Sequence, residues 1–290
     1  MTCLAEADPS VRSADAASGV RTHPLDNPVC AALAGAHAYL AQVRGQAVRY
    51  PPDVSPFAAL PARPDDRSWA DLAVLVGPGG AALFAGVGAQ PPEGWAVQAR
   101  ISGVQMIGPA ADAGTAVDAG TAVDAGAAVD VGAAAGPRTE PDGEVRLLTR
   151  DDVPEMLDLV ARTQPGPFLR RTIELGRYVG IHRDGRLVAM AGERMRPPGW
   201  TEISAVCTDP AYRGQGLAAR LIRSTAAEIR RRGETPFLHA AASNTGAIRI
   251  YRTLGFTLRR EVSFVLVRAP TAGRGAAHAD SPSGLGLLTH

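Results

Sequence analysis

Apolar and polar residues follow two different periods along the C-terminal half of the chain. Short apolar runs predict strands at 144–148, 178–183, 187–196, 201–208, 237–241 and 257–268. Apolar residues at helical spacing predict helices from about 149 to 163, then at 168–175, 216–232 and 245–254. Asp184-Gly185 lies between two apolar runs and predicts a tight hairpin. This half is therefore expected to be a mixed α/β fold.

The N-terminal part shows a simpler pattern. A helix is predicted over 27–43, with Asn27 as its cap and Pro28 at its first position. Apolar runs at 72–76 and 81–87 flank a glycine-rich turn and predict a hairpin, and 95–101 and 104–107 are two more candidate strands. His37 has no second ligand or acid nearby, so it is expected to be a surface or half-buried histidine. We predict a small α+β domain over 23–108.

A six-residue repeat follows this region. Its copies begin at Asp112, Asp118, Asp124 and Asp130 and contain no large apolar residue. Such short copies cannot bury a core, so 109–137 is interpreted as a flexible acidic linker rather than a β-helix. The ends of the chain, 1–22 and 269–290, are predicted to be disordered tails.

Composition and charge exclude several classes of protein. The 290 residues include 30 Arg and no Lys against 29 acidic residues, and a net charge of +1 is not that of a DNA-binding regulator. The sequence contains no apolar run of about 18 residues and therefore predicts no membrane span. Residues 1–20 lack the apolar core of a signal peptide. Three scattered cysteines do not make a zinc site. We expect a cytoplasmic protein without a metal, nucleic-acid partner or membrane partner, of open oligomeric state.

One turn has the chemistry of an anion site. After the strand at 201–208, the sequence Arg213-Gly214-Gln215-Gly216-Leu217-Ala218 opens an amphipathic helix. Two glycines permit a tight turn in which successive backbone N–H groups face one point, and the helix adds unpaired N–H groups and a positive dipole end. The turn matches neither the P-loop nor the Rossmann pattern. It predicts a site for a phosphate or pyrophosphate.

A second motif makes the prediction more specific. The helix at 245–254 is preceded by Asn244 and carries Ala247 and Tyr251, and Gly255-Phe256 follow it. Together with Arg213, Gly216 and Ala218, this order resembles the GNAT superfamily of acetyl-CoA-dependent N-acetyltransferases over about 145–268. The resemblance implies a GNAT domain at 138–268. Its fold would be a mixed, mostly antiparallel sheet with a splayed central parallel pair and flanking helices.

The resemblance also implies where acetyl-CoA, the co-substrate, would bind. Pantetheine would contact the backbone of Val206, Cys207 and Thr208. The pyrophosphate would be held by backbone N–H groups of one turn, formed by Arg213, Gly214, Gln215, Gly216, Leu217 and Ala218 and closed by Ala219. Asn244 would contact the cofactor or fix the splay, although a loop cap is the alternative.

In this family an amine attacks the thioester directly, so neither a serine nor a cysteine nucleophile is needed. Tyr251 matches the tyrosine that protonates the leaving thiolate, and a packed core tyrosine is the alternative. Glu202 is the first candidate for the base and Glu193 the second, with a water chain or solvated glutamates as alternatives. Cys207 is expected to be a small buried residue, and His239 a packed histidine.

Two functions are compatible with these motifs. The first is an N-acetyltransferase that transfers an acetyl group to an amine of a small molecule, peptide or protein. The second is an acyl-CoA-binding regulatory module that has the fold without turnover. The acceptor site is expected around 162–171, including Gln164, Phe168 and Arg171, a segment that does not identify the acceptor.

Overall fold

A computed structural model describes residues 23–86, 90–110 and 143–271. The predicted tails and repeat linker lie almost entirely outside these residues. The α-helices in the described ranges are α1 (Pro28–Leu33), α2 (Asp66–Val76), α3 (Val153–Thr163), α4 (Leu217–Arg231) and α5 (Thr245–Thr253). The strands in the same ranges are β1 (Gln42–Arg44), β2 (Ala47–Arg49), β3 (Ala58–Ala59), β4 (Ala81–Ala85), β5 (Ala96–Ile107), β6 (Val145–Leu148), β7 (Tyr178–Arg183), β8 (Arg186–Glu193), β9 (Trp200–Thr208), β10 (Thr235–Ala241) and β11 (Thr257–Arg268).

A large mixed sheet forms the centre of the fold. Within the described residues, eight strands make one sheet in the order β4-β11-β5-β10-β9-β8-β7-β6. β9 and β10 run parallel, and all other neighbours in this sheet are antiparallel. The predicted fold class, a mostly antiparallel sheet with a central parallel pair and flanking helices, is confirmed.

The N-terminal segment supplies two strands of this sheet. β5 lies between β10 and β11, where His239 pairs with Gln105 on one side and Phe264 pairs with Ile101 on the other. β4 adds to the outer edge of β11. Only β1, β2 and β3 form a separate small sheet among the described residues. The division into two domains stays a prediction, and this interleaved strand order argues against it.

Helices cover both faces of the C-terminal half of the sheet. Tyr178 and Met190 pack with Met156 of α3, whereas their neighbours Val179 and Ala191 pack with the α4 side chains. Because successive side chains of a strand point to opposite faces, α3 and α4 lie on opposite sides.

The N-terminal segment packs on the other end of the sheet in the same way. Phe264 of β11 belongs to a buried cluster with α1 side chains, and the next residue, Val265, belongs to a cluster with Trp69 and Leu72 of α2. The first cluster also includes Phe237 of β10. The N-terminal segment and the C-terminal half therefore share one core, and burial of its apolar area stabilises both.

Several local predictions are confirmed. Asp184 and Gly185 have φ values of 51° and 72° and connect β7 to β8, as expected for the two-residue hairpin. The helices predicted at 216–232 and 245–254 are α4 and α5. Strands occur at each predicted C-terminal position.

The hairpin predicted around 77–80 is wrong. Residues 72–76 belong to α2 rather than to a strand, and the turn leads from this helix into β4. Asp65 caps the helix by accepting a hydrogen bond from the backbone N–H of Ser68 at 2.8 Å. Trp69 and Leu72 lie three residues apart on its buried face. An amphipathic helix with a cap overrides the strand preference of a short apolar run.

Other N-terminal predictions hold in part. The helix expected over 27–43 ends at Leu33, although Asn27 caps it by accepting from the backbone N–H of Cys30. The two strands expected at 95–101 and 104–107 are the single strand β5. The helix expected at 168–175 is only a 3-10 turn, Thr172–Leu175.

Candidate active site

The parallel strands β9 and β10 pair over part of their length and then separate. Their register runs from Trp200 opposite Thr235 to Ile203 opposite Leu238. β9 continues to Thr208 and β10 to Ala241 without further pairing between them. The predicted splay is therefore present, and it opens a gap in the middle of the sheet.

β9 is distorted at the point where this gap begins. Ala205 has a φ of 53°, which is unusual for a residue with a side chain, and the pairing with β8 shifts between Met190 and Gly192. A bulge at this position turns the backbone away from a regular ladder. Peptide groups of β9 thereby become available to a molecule bound in the gap.

The glycine turn lies at the end of the same strand. Gly214 and Gly216 have φ values of 79° and 75°, the left-handed region that favours glycine. Gly216 is the N-cap of α4 and makes no capping hydrogen bond with a side chain. The first N–H groups of α4 consequently lack a side-chain partner, and an anion would satisfy them.

A cleft of about 770 Å³ joins the gap to this turn. Its lining includes every residue predicted to bind the cofactor except Gln215, namely Val206, Cys207, Thr208, Arg213, Gly214, Gly216, Leu217, Ala218, Ala219 and Asn244. The buried Oγ1 of Thr208 has no hydrogen-bond partner among the described residues. A long molecule with an anionic end and polar atoms along its length fits these groups.

Tyr251 lines the cleft from α5 and is 8% exposed. Burial raises the pKa of its phenol to about 12, so the hydroxyl carries its proton at neutral pH. The ring also packs edge-on against Phe256, with 6.1 Å between the centroids. This position is compatible with the predicted acid and with the alternative of a packed core tyrosine, so the role of Tyr251 stays a prediction.

Glu202 is fully buried and does not line the cleft. Its carboxylate binds Arg194 through two hydrogen bonds, with Nε at 2.9 Å and Nη2 at 2.6 Å, and His239 Nδ1 lies 2.7 Å from Oε1. Burial alone would raise the pKa of Glu202, but Arg194 and His239 lower it to about 2. A carboxylate with these partners is a weak base.

His239 and Arg194 do line the cleft, and a buried chain of hydrogen bonds fixes the histidine. Gln105 of β5 accepts from Arg259 through Oε1 at 2.7 Å, so its Nε2 faces His239 Nε2 at 3.0 Å and donates. Nδ1 then donates to Glu202. Sequence reasoning missed Gln105, because its strand comes from the N-terminal segment.

The remaining predicted residues have structural partners. Glu193 is buried, and Arg232 Nη2 donates to its Oε1 at 2.8 Å. Burial raises the pKa of the Cys207 thiol to about 11, which agrees with a small buried residue. Asn244 caps α5 by accepting from the backbone N–H of Ala247 at 3.1 Å and also lines the cleft, so the cap and a cofactor contact are compatible.

The segment predicted to bind the acceptor lies only partly at the cleft. Gln164 lines it, but Phe168 is buried in the core, and Arg171 is exposed and pairs with Asp53 and Glu174. Phe57, Phe264 and Arg194 also line the cleft, and none of these three was predicted. They come from three distant segments, and no local pattern marks them.

Comparison with known proteins identifies the class that this fold and cleft define. Residues 178–265 match the family model of FR47-like proteins. N-alpha-acetyltransferase RimI of Mycobacterium tuberculosis is 33% identical over 120 residues, which cover 38% of this chain and 75% of RimI. A crystal structure assigned to the GNAT acetyltransferases, from Novosphingobium aromaticivorans, is 39% identical with a TM-score of 0.69, and the match covers 86% of this chain and 100% of that one.

The chain belongs to the GNAT superfamily of N-acetyltransferases. It is therefore an acyltransferase, as the sequence predicted. None of the described helices is long and apolar enough to cross a membrane. Among the same residues, no group of three or more His, Cys, Asp or Glu could hold a metal ion.

Proposed function

We propose that this protein transfers the acetyl group of acetyl-CoA to a primary amine by direct attack. The separation of β9 and β10 is the observation that supports this most strongly, because the gap leads from the uncapped start of α4 to Tyr251 within one cleft. The pyrophosphate would lie on the turn from Gly214 to Ala219. The relative that is 33% identical, N-alpha-acetyltransferase RimI, supports an α-amine as the acceptor.

The proposed reaction needs one acid and one base. The amine nitrogen bonds to the acetyl carbon while the carbon–sulfur bond breaks, and backbone N–H groups of β9 stabilise the oxygen that gains charge. Tyr251 gives its proton to the leaving sulfur. The attacking amine loses a proton, for which we propose water in the cleft as the base, because Glu202 and Glu193 are buried and paired with arginines.

Glu202 then has a different role from the one predicted. Its Oε1 accepts from Arg194 Nη2 and His239 Nδ1, and its Oε2 accepts from Arg194 Nε, so both side chains have fixed positions at the cleft. We propose it as a positioning residue.

Replacement of the tyrosine tests the acid. Tyr251→Phe should lower kcat by about 100-fold, a usual contribution of one positioned acid, and leave the KM for acetyl-CoA near its wild-type value. Release of free thiol from acetyl-CoA in the presence of an amine and peptide library measures this. Tyr39→Phe changes an exposed tyrosine outside the cleft and serves as the matched control. Cofactor binding without turnover of any amine would instead support a binding module.

A further inference from the structure

The cleft has a second end, beyond the point where β9 and β10 join. The glycine turn and Asn244 lie at the cofactor end, whereas Phe57, Arg194 and Phe264 line the cleft near the paired part of the strands. Phe57 belongs to the N-terminal segment, which packs into the shared core. Given the proposed function, this is the end at which an acceptor would meet the thioester.

Arg194 is held there with one of its terminal nitrogens, Nη1, unused. Glu202 accepts from Nε and Nη2, and the guanidinium carbon lies 4.9 Å from the centroid of the Phe57 ring. The residue is only 9% exposed. Nη1 has no hydrogen-bond partner among the described residues. It is not fully buried, so a molecule in the cleft can reach it. A fixed guanidinium with a free N–H group loses little freedom when it binds an oxygen.

The charges in the cleft limit the kind of acceptor. Its lining contains no Asp or Glu among the described residues, and its two arginines are Arg194 and Arg213, of which Arg213 lies at the cofactor end. An acceptor with a second ammonium group would meet no carboxylate there. The charge of Arg194 is balanced by Glu202, so Nη1 suits a neutral carbonyl oxygen as well as a carboxylate.

We propose that Arg194 is a specificity-determining residue that binds the oxygen on the carbon next to the acceptor's amine-bearing carbon. Phe57 and Phe264 would pack against the apolar part of the same molecule. The acceptor is thus an α-amino carbonyl compound, either a free amino acid or the N-terminus of a peptide. This proposal rests on the proposed function and adds a residue that selects the acceptor.

A series of acceptors tests the wild-type, full-length protein. L-Alaninamide and a peptide that begins with alanine present a carbonyl oxygen, L-alanine presents a carboxylate, and isopropylamine presents neither. We expect kcat/KM, calculated per unprotonated amine, to be at least ten-fold lower for isopropylamine than for alaninamide. The ratio of alanine to the peptide shows which source of the oxygen is preferred. Equal values for isopropylamine and alaninamide would overturn the proposal.

A variant assigns this preference to the guanidinium. Arg194→Lys keeps a positive charge beside Glu202 but loses the planar fork, and we expect the ratio between alaninamide and isopropylamine to fall to within two-fold. The KM for acetyl-CoA should stay near the wild-type value. Arg196→Lys is the matched control, since Arg196 pairs with Glu234 outside the cleft. If Arg194→Lys lowers both rates by the same factor, Arg194 is only a structural residue and the proposal fails.

Two further measurements keep the result decisive. If Arg194→Lys does not fold, as circular dichroism would show, the wild-type acceptor series alone decides. If no amine is acetylated, the proposed function fails, and calorimetric titration of the acceptors into the CoA-bound protein tests the subsite separately. Tighter binding of alaninamide than of isopropylamine would support it, and equal binding would contradict it.

Discussion

His37 lies in the N-terminal segment with its Nδ1 2.9 Å from the hydroxyl oxygen of Tyr50, and it is 2% exposed. The sequence predicts a surface or half-buried histidine, which is wrong because the core formed by distant segments covers it. Burial, aided by the positive charge of Arg196, lowers the pKa of His37 to about 4 despite a hydrogen bond with the backbone of Leu175.

This histidine makes stability depend on pH. The unfolded chain binds a proton at His37 near pH 6.5, and the folded chain binds it only near pH 4. Because the unfolded state binds more protons between these values, the free energy of unfolding should fall as the pH is lowered from 6.5 to 4, by on the order of 3 kcal/mol at most. Urea unfolding at several pH values measures this for wild type and His37→Gln, and the variant should show a smaller slope. Identical slopes would contradict the assignment.

At the scale of single elements, the turn before α4 needs a backbone conformation that favours glycine, and the same turn is the proposed binding site of the CoA pyrophosphate. Gly216→Ala places a side chain at a φ of 75°, which should destabilise the fold by about 1 kcal/mol. It should also weaken CoA binding several-fold, because the first N–H groups of α4 move. Thermal unfolding and calorimetric titration with CoA measure the two effects.

Gly233 provides the matched control for this change. It has a φ of 76°, follows the other end of α4, and like Gly216 has no atom within 4 Å of an added Cβ. Gly233→Ala should therefore cost similar stability without changing the affinity for CoA, since Gly233 does not line the cleft. Equal CoA affinities of the two variants would show that the turn does not hold the cofactor.

Elements with a complete local pattern were predictable from the sequence. The hairpin at Asp184-Gly185 and the turn before α4 depend on backbone conformations that glycine and its neighbours specify within a few residues. α2 was not predicted, although its cap Asp65 and its buried residues Trp69 and Leu72 lie close together in the sequence, because the short apolar run at 72–76 also fits a strand. Gln105 could not be predicted from any local pattern, because its partner His239 is 134 positions away.

At the scale of the whole molecule, β5 joins the two parts of the chain. Without it, β10 and β11 lose their common neighbour, and the core around Phe237 and Phe264 is opened. A chain of residues 137–290 alone should therefore not fold cooperatively, and unpaired strand edges should make it aggregate. Circular dichroism and size-exclusion chromatography measure this.

Co-expression tests whether the 137–290 chain fails to fold because it lacks β5 or because the linker has been cut. Residues 1–136 and 137–290, made as two chains, should co-purify as one complex and recover acetyl transfer, since β5 can pair without the peptide connection. A folded, active 137–290 chain would show that the C-terminal part is an independent domain, as the sequence predicted.

The position of β5 also sets an order of events during synthesis. Its last residue, Ile107, is made 128 positions before Thr235, the start of β10, and β11 is made later still. At about 5–20 residues per second, β5 would wait on the order of 10 seconds on the ribosome before a neighbour in the sheet exists. The nascent chain thus carries an unpaired twelve-residue strand while the next 128 residues are made, and slower elongation would lengthen its exposure to chaperones and proteases.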